Sequence, residues 1–330
     1  MKRWESLALA TFVIFAFLGN ALAIEVKLGV GPPGVIGYMP LYIAQGLGYF
    51  KELEKEGISL KLVNFKGGSE AAIALLGGDI DLATITVTHA IKAKAEGKEL
   101  KFLLTFFNSQ VMAMVVQADL KEVRTPADLK GKRIGITSMG SATHMMGRHI
   151  IEKWGLRPED VSFVPVGGAT SIPAFKAKQI DALVMLDPVI SRLLKEGVAR
   201  MLVDARTVEG TRAIYGAEHI SSGLLARPDY ISKNPQVVEK VVAMFVKTLK
   251  WIKANPSEEI LKAAPKGIKW DVEQIEGNRG GLSPDGLVIK AGVEKVIEYL
   301  KKDGLLPPTY TYPAEVIYDN SFVEKALKGL

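Results

Sequence analysis

Cysteine is absent from all 330 residues. No disulfide can staple the chain and no thiolate can serve as nucleophile or metal ligand, so stability has to come from a packed core, which a chain of this length can build. Histidine is scarce: His89, His144, His149 and His219 are the only four. None stands in H-E-x-x-H spacing, so a zinc site is not expected, and the five-residue step from His144 to His149 puts those two on different helix faces. A G-x-S-x-G elbow is missing, and no serine, histidine and acid combination stands out by spacing. Neither catalysis nor a cofactor is indicated. Charge of one sign is in short supply too. The net charge is +6 and the charges are mixed, as in Lys51-Glu52-Leu53-Glu54-Lys55-Glu56, a solvated helix face and not a nucleic-acid patch.

Long apolar runs are missing except at the start. Lys2 and Arg3 precede an apolar run from Leu7 to Leu18, and Ala21-Leu22-Ala23 has the small-x-small form of a cleavage site. The run is shorter than the roughly 20 residues a spanning helix needs, so residues 1–23 are expected to be a secretory signal peptide cleaved after Ala23. Loss of Lys2, Arg3 and Glu5 with it takes the charge from +6 to +5. With no cysteine after the cleavage site to carry a lipid, a free periplasmic protein is expected.

What the sequence does have is a segment that occurs twice. GGSEAAIALLGGDIDLA at 67–83 is echoed without a gap by GGATSIPAFKAKQIDAL at 167–183, pairing Gly67 and Gly68 with Gly167 and Gly168, and Ile80-Asp81 with Ile180-Asp181. Around the first copy, EVKLGV at 25–30, a helix from Pro40 to Leu53 ended by Gly57, a strand from Leu60 to Phe65, a helix capped by Ser69 with Ala72, Ile73 and Leu76 on its apolar face, and a strand at 82–85 form a β-α-β-α-β unit. The second copy runs from a strand at 132–137 through a helix at 141–154 and a strand at 161–166 to a strand at 182–186. Such units imply parallel sheets, and two of them facing each other make a cleft where a small ligand binds. The strand-like run Val111 to Gln117 is expected to carry the chain between lobes. Beyond Asp204, a strand at 222–226 precedes helices signalled by Asn234-Pro235, Asn255-Pro256 and Ser283-Pro284.

Gly29-Val30-Gly31-Pro32-Pro33-Gly34 matches the dinucleotide fingerprint, but Pro32 and Pro33 have no N–H and the helix begins only near Pro40, so no phosphate cradle is expected. The ligand loops should lie at the carboxyl ends of the strands, where small and hydroxylic residues meet helix N-termini that favour an anion. Ser69 and Ser141 could equally be caps for their own helices. Asp81 and Asp181 precede strands and are expected to hold turns. Asp187, before Pro188, could meet an amine of a ligand or cap the next helix.

The run Pro40-Leu41-Tyr42-Ile43-Ala44-Gln45-Gly46-Leu47-Gly48-Tyr49-Phe50, then Gly67-Gly68-Ser69, Leu129-Lys130-Gly131-Lys132-Arg133-Ile134-Gly135 and Asp187-Pro188, resembles the substrate-binding proteins of ABC importers, within them the SsuA/THI5-like or NMT1-like group for nitrate, sulfonates, taurine and thiamine precursors. The resemblance covers roughly 24 to 260. It implies an α/β, type II periplasmic binding protein fold: two lobes with mainly parallel sheets, here 24–110 with 220–330 and 111–219, joined by a two-strand hinge. It also implies a monomer that captures a small solute, expected to be anionic, and docks on an inner-membrane permease with a cytoplasmic ATPase. The group's ligand loops fall on Gly34, Tyr38, Gly68, Ser69, Thr86, Thr88, Ser109, Ser141, Ala142, Thr143 and Asp187. Alternatives are an enzyme on the same scaffold, as in the menaquinone-pathway dehydratases, and a ligand sensor. The yeast pyrimidine-synthase branch relies on a cysteine-rich motif that this chain lacks.

Overall fold

The computed structural model describes residues 23–329 other than Pro32, Lys66, Ser138, Gly140, Gly168 and Ala169. Of the expected leader only Ala23 is therefore described, and the expected cleft residue Gly168 also lies outside the described residues.

The first half of the chain forms strands β1 (Ile24–Val30), β2 (Ile58–Asn64), β3 (Leu82–Thr86) and β4 (Lys101–Thr105), with helices α1 (Met39–Gly46), α2 (Tyr49–Lys55), α3 (Gly68–Gly77) and α4 (Thr88–Ala95) between them. The single helix expected from Pro40 to Leu53 is two, because Gly48 adopts φ +81°, a conformation open to glycine that ends α1 and starts α2 in a new direction. The capping position of α3 belongs to Gly67, not Ser69. Its buried face is Ala71, Ala72, Ala74 and Leu75, while Ile73 is 71% exposed, so the expected face was rotated from the real one.

The second half repeats the plan. After β5 (Met112–Gln117) come β6 (Arg133–Ile136), α5 (Ala142–Lys153), β7 (Ser162–Pro165), α6 (Ser171–Lys176), β8 (Ala182–Leu186), α7 (Val189–Lys195), β9 (Ala199–Asp204) and α8 (Val208–Tyr215). The chain then returns through β10 (Ser222–Ala226) to α9 (Pro228–Lys233), α10 (Pro235–Ala254), α11 (Ser257–Ala263), α12 (Val272–Arg279), α13 (Lys290–Lys302) and α14 (Ser321–Gly329). Asn234 precedes α10 without capping it, since its amide donates back to the Tyr230 carbonyl at 3.3 Å. The expected apolar face of α10, from Val237 to Ile252, is buried. No helix starts at Ser283-Pro284: Ser283 Oγ accepts from Gly286 N at 2.9 Å in a turn, and α13 waits until Lys290.

The strands form two five-stranded sheets of one topology, β2-β1-β3-β10-β4 and β7-β6-β8-β5-β9. In each, the first three strands are parallel and the fourth runs antiparallel to both its neighbours, so the sheets are mixed. That antiparallel strand, β10 or β5, enters from across the cleft. It slips register against the last strand at matching places, Leu224/Leu225 and Met114/Val115. Among the described residues no helix is long and apolar enough to cross a membrane.

The repeated Ile-Asp now has a physical cause. A Cβ on Gly29 would stand 2.4 Å from Ile80 Cδ1, and a Cβ on Gly135 would stand 2.3 Å from Ile180 Cδ1, so each isoleucine fills the notch of a glycine on the neighbouring strand. The following aspartate clasps that strand. Asp81 Oδ2 accepts from Lys27 N and Asp181 Oδ2 from Arg133 N, both at 2.8 Å, while each aspartate N–H donates back to the same residue's carbonyl. Asp181 also accepts from the Arg133 guanidinium, which holds its carboxyl below the usual range. Both aspartates thus close the strand ends remote from the cleft. Asp181→Ala should cost about 2 kcal/mol and Asp81→Ala about 1 kcal/mol, since charge-assisted bonds are the stronger. Urea unfolding of the two variants checks this, and equal losses would show that the guanidinium adds nothing.

Candidate functional site

Two segments join the sheets, 106–111 between β4 and β5 and 205–221 between β9 and β10. They bond to each other and to the strands they serve: Ser221 N donates to Phe107 O and His219 N to Asn108 O, each at 3.2 Å, Phe106 N to Ser222 O at 2.8 Å, and Gln110 N to Ala205 O at 3.1 Å. Val111 sits at φ +52° on the crossing, an unusual conformation for a β-branched side chain. Such a residue persists only where its surroundings fix it.

Over this floor lies a cavity of about 390 Å³ bounded by both sheets. It stands at the carboxyl ends of β3 and β8, where open α/β sheets take ligands. Ser69 from α3, Thr86, and Thr88, His89 and Lys92 from α4 line one wall; Met145, Met146, Arg148 and His149 from α5, with Leu186 and Tyr215, line the other. The first helical turn of α5 contributes Ala142, and α13 closes one side with Tyr299, Lys302 and its C-terminal cap residue Asp303.

Of the residues expected at the site, Ser69, Thr86, Thr88 and Ala142 border this cavity. The Thr86 and Thr88 hydroxyls bond each other at 2.5 Å. Gly68 supports the wall from behind: a Cβ there would lie 2.7 Å from His89 Nε2. The others stand off the cavity, and each has a cause. Gly34 gives its carbonyl to Trp270 Nε1 at 2.7 Å, which draws the first loop towards α12, and Tyr38 is buried, its hydroxyl under Gly31. Ser109 is fully buried against Gly281, where an added Cβ would lie 2.0 Å from its Oγ.

Ser141 and Thr143 form a closed triangle of hydroxyls with Thr137, all three sides 2.8 Å. Ser141 Oγ accepts from His144 N as the cap of α5, and Thr143 Oγ1 accepts from Thr137 N at 2.9 Å. Three hydroxyls with one proton each satisfy the three sides, so Thr137, Ser141 and Thr143 are donors to one another. Asp187 resolves in favour of the cap, because Oδ1 accepts from Ser191 N at 2.7 Å in the first turn of α7. Its Oδ2 accepts from Arg206 Nη1 at 3.0 Å and Asn278 Nδ2 at 2.6 Å, and its side chain is wholly buried and does not line the cavity.

The histidines are what the sequence reading missed. Three of the four line the cavity. Met145, Arg148, His149 and Glu152 stand at i, i+3, i+4 and i+7 on α5, as His89 and Lys92 stand at i, i+3 on α4, and that spacing was the available signal. Burial lowers all three imidazoles, His89 to about 4 with help from Lys92, His219 to about 4, and His149 with help from Lys302. They are neutral at pH 7. His219 Nδ1 is buried with no partner beyond its own backbone, and Arg148 Nε is likewise buried without one.

α13 packs Val293, Val296, Ile297 and Leu300 with Ile91, Ile220 and Leu225 in the core behind the first sheet, then reaches over the cleft to the second. Its Asp303 meets Arg148 at 3.7 Å, Lys302 pairs with Glu152, and Tyr299 Oη donates to the Tyr215 carbonyl at 3.3 Å. His149 stacks on Tyr215 with centroids 4.5 Å apart and meets Tyr299 edge-on at 4.8 Å. Among the described residues no cluster of histidine, aspartate and glutamate could hold a metal ion.

The family described as NMT1/THI5 like matches residues 36–259, over half the chain. This chain belongs to the NMT1/THI5-like family. The taurine-binding periplasmic protein of Escherichia coli K12 is 25% identical, over 91% of this chain and 92% of its own. A solved structure from Bordetella bronchiseptica RB50 is 31% identical with a TM-score of 0.75, covering 92% of this chain and 97% of its own. The periplasmic nitrate-binding protein NrtA of Synechocystis PCC 6803, 16% identical, has the same fold at a TM-score of 0.70 over 93% of this chain and 89% of its own. The periplasmic binding protein fold expected of the family is therefore the fold of this chain. One relative is an enzyme: the 4-amino-5-hydroxymethyl-2-methylpyrimidine phosphate synthase THI12 of Saccharomyces cerevisiae, 22% identical over 83% of this chain and 81% of its own.

Two expectations follow from the buried groups. His89 and His219 hold folded pKa values near 4 against 6.5 when unexposed to the fold, so between these limits the unfolded chain binds the extra protons. Stability present at pH 7 should therefore fall as pH drops through 6.5 to 4, by roughly 3 kcal/mol per histidine. Melting curves across that range check it, and His219→Gln should flatten the dependence. Asp187→Ala should cost about 2–3 kcal/mol in urea unfolding by stranding Arg206, the loss being limited by the pairing of Arg206 with Asp204 at 2.8 Å.

Proposed function

We propose that this chain is the periplasmic solute-binding component of an ABC importer. Its lobes, 24–110 with 220–330 and 111–219, close on a small anionic solute, and the closed monomer hands it to an inner-membrane permease driven by a cytoplasmic ATPase. Residues 1–23 direct export and are removed after Ala23. The observation that carries the reading is the 390 Å³ cavity whose walls come from both sheets and whose floor is the pair of crossing segments. A ligand touching both walls favours the closed arrangement because it has differential affinity for it. Lys92 supports an anion: it lines the cavity and has no carboxylate partner among the described residues. The N-termini of α4 and α5 add their partial positive charge. The relatives' names, taurine- and nitrate-binding, support the same class.

An enzyme on this scaffold is the second reading, favoured by three histidines in one cavity and by the yeast relative. Two of those histidines, near 4, are poorly matched to general base work at neutral pH, and the chain has no cysteine.

Thermal-shift screening of the mature protein tests the importer reading. A true solute at 100 times its Kd adds about 2.7 kcal/mol of stability. Sulfonates, nitrate and carboxylates should include at least one that raises the melting temperature and is recovered unchanged. Conversion of a bound compound by the purified protein would move the assignment to the enzyme.

A further inference from the structure

Resting on the solute-binding reading, we propose that the solute is an aryl monoacid: a planar aromatic body carrying one carboxylate or sulfonate and a second hydrogen-bonding group. Size is the first ground. A cavity of about 390 Å³ holds about a dozen waters at roughly 30 Å³ each, and it falls in the range that encloses organic ligands of drug-like size. Nitrate or a one-carbon sulfonate displaces only a few of those waters. The rest would stay ordered against apolar walls, with no gain from burying them.

Those walls are the second ground. Tyr215, Tyr299 and His149 form one aromatic surface, stacked and edge-on to each other, and each of the three borders the cavity. Met112, Met145 and Met146 border it as well, and methionine thioethers make favourable contacts with aromatic rings while adapting to their outline. Val111, Leu186 and Ile220 extend the apolar lining. A flexible aliphatic zwitterion leaves this surface unused; a ring covers it.

Charge is the third ground and limits the acid to one group. Three cations border the cavity, Lys92, Arg148 and Lys302. Arg148 already pairs with Glu152 and Asp303, and Lys302 with Glu152, so Lys92 alone has no carboxylate partner among the described residues. The histidines add no charge, since burial keeps them neutral at pH 7. One uncompensated cation suits one anion and leaves a dianion with a desolvated charge. His219 supplies the site for the second polar group. It is 91% buried and lines the cavity, so its neutral imidazole offers a hydrogen-bonding partner to a ligand hydroxyl, amine or carbonyl in a largely dry site.

The test is isothermal titration calorimetry on the mature protein with benzoate, 4-hydroxybenzoate, benzenesulfonate, phthalate, taurine, methanesulfonate and nitrate. At least one aryl monoacid should bind tenfold or more tightly than taurine, methanesulfonate and nitrate, with phthalate tenfold or more weaker than the best of them. Lys92→Gln should weaken that acid at least tenfold while leaving the melting temperature of the free protein unchanged. His219→Leu should remove the preference for the hydroxyl-bearing ring over benzoate. Binding of nitrate, taurine or methanesulfonate with silence from the aryl acids overturns the proposal and leaves the solute-binding reading standing. Equal or tighter binding of phthalate, or unchanged aryl affinity in Lys92→Gln, overturns the charge argument. Silence from every probe overturns the aryl assignment and the solute-binding reading together.

Discussion

The backbone bonds between the two crossing segments are what the rest of the structure depends on, because each crossing delivers the antiparallel strand that stands inside a sheet. β10 stands between β3 and β4, β5 between β8 and β9, and the segments that deliver them bond directly through Ser221 to Phe107 and His219 to Asn108. Buried backbone groups of this kind must keep partners, so the crossings stay paired beside the strands they deliver, and the cavity is built over that paired floor.

The buried ionic cluster at Asp187 belongs to the same constraint. One carboxylate joins the start of α7, the arginine that opens the return crossing and Asn278 of α12, three parts of the chain far apart in sequence. A buried charge that is satisfied on every side specifies geometry more than it adds stability. The cluster lies beside the cavity without lining it, whereas Lys92, His219, Thr86 and Thr88 do line it, the two threonine hydroxyls bonding each other.

Much of the architecture was legible in the sequence because it rests on local rules. The strands at 182–186 and 222–226, the long amphipathic α10 and the Gly-Gly to Ile-Asp repeat all follow from periodicity and punctuation. The aspartates of the repeat were read as turn residues, and the clasp each makes on the neighbouring strand's N–H lay outside local rules. The misses are tertiary. Gly48 splits one helix into two through a backbone conformation that spacing does not encode, and the face of α3 turned so that alanines, not Ile73, meet the sheet. At the site, Ser141 was left between ligand contact and cap, and its Oγ caps α5 while it, Thr143 and Thr137 bond one another. Which serine faces a ligand and which faces its neighbours is decided by angles within one turn. The aromatic and histidine wall was out of reach for another reason: Tyr215, His149 and Tyr299 come from three helices spread over 150 positions in sequence, and only α13 leaning across the cleft brings them together.

The crossed strands also set limits on how this protein can be cut. β5 to β9 follow one another in the chain, so the second sheet is contiguous, whereas a break at either crossing parts β10 from β1–β4 and exposes the facing edges of β3 and β4, a template for aggregation. The first sheet is the half that depends on both ends of the chain. A reporter inserted into this scaffold belongs in a loop on the outer face of either sheet, where it leaves β10 seated between β3 and β4 and both crossings intact.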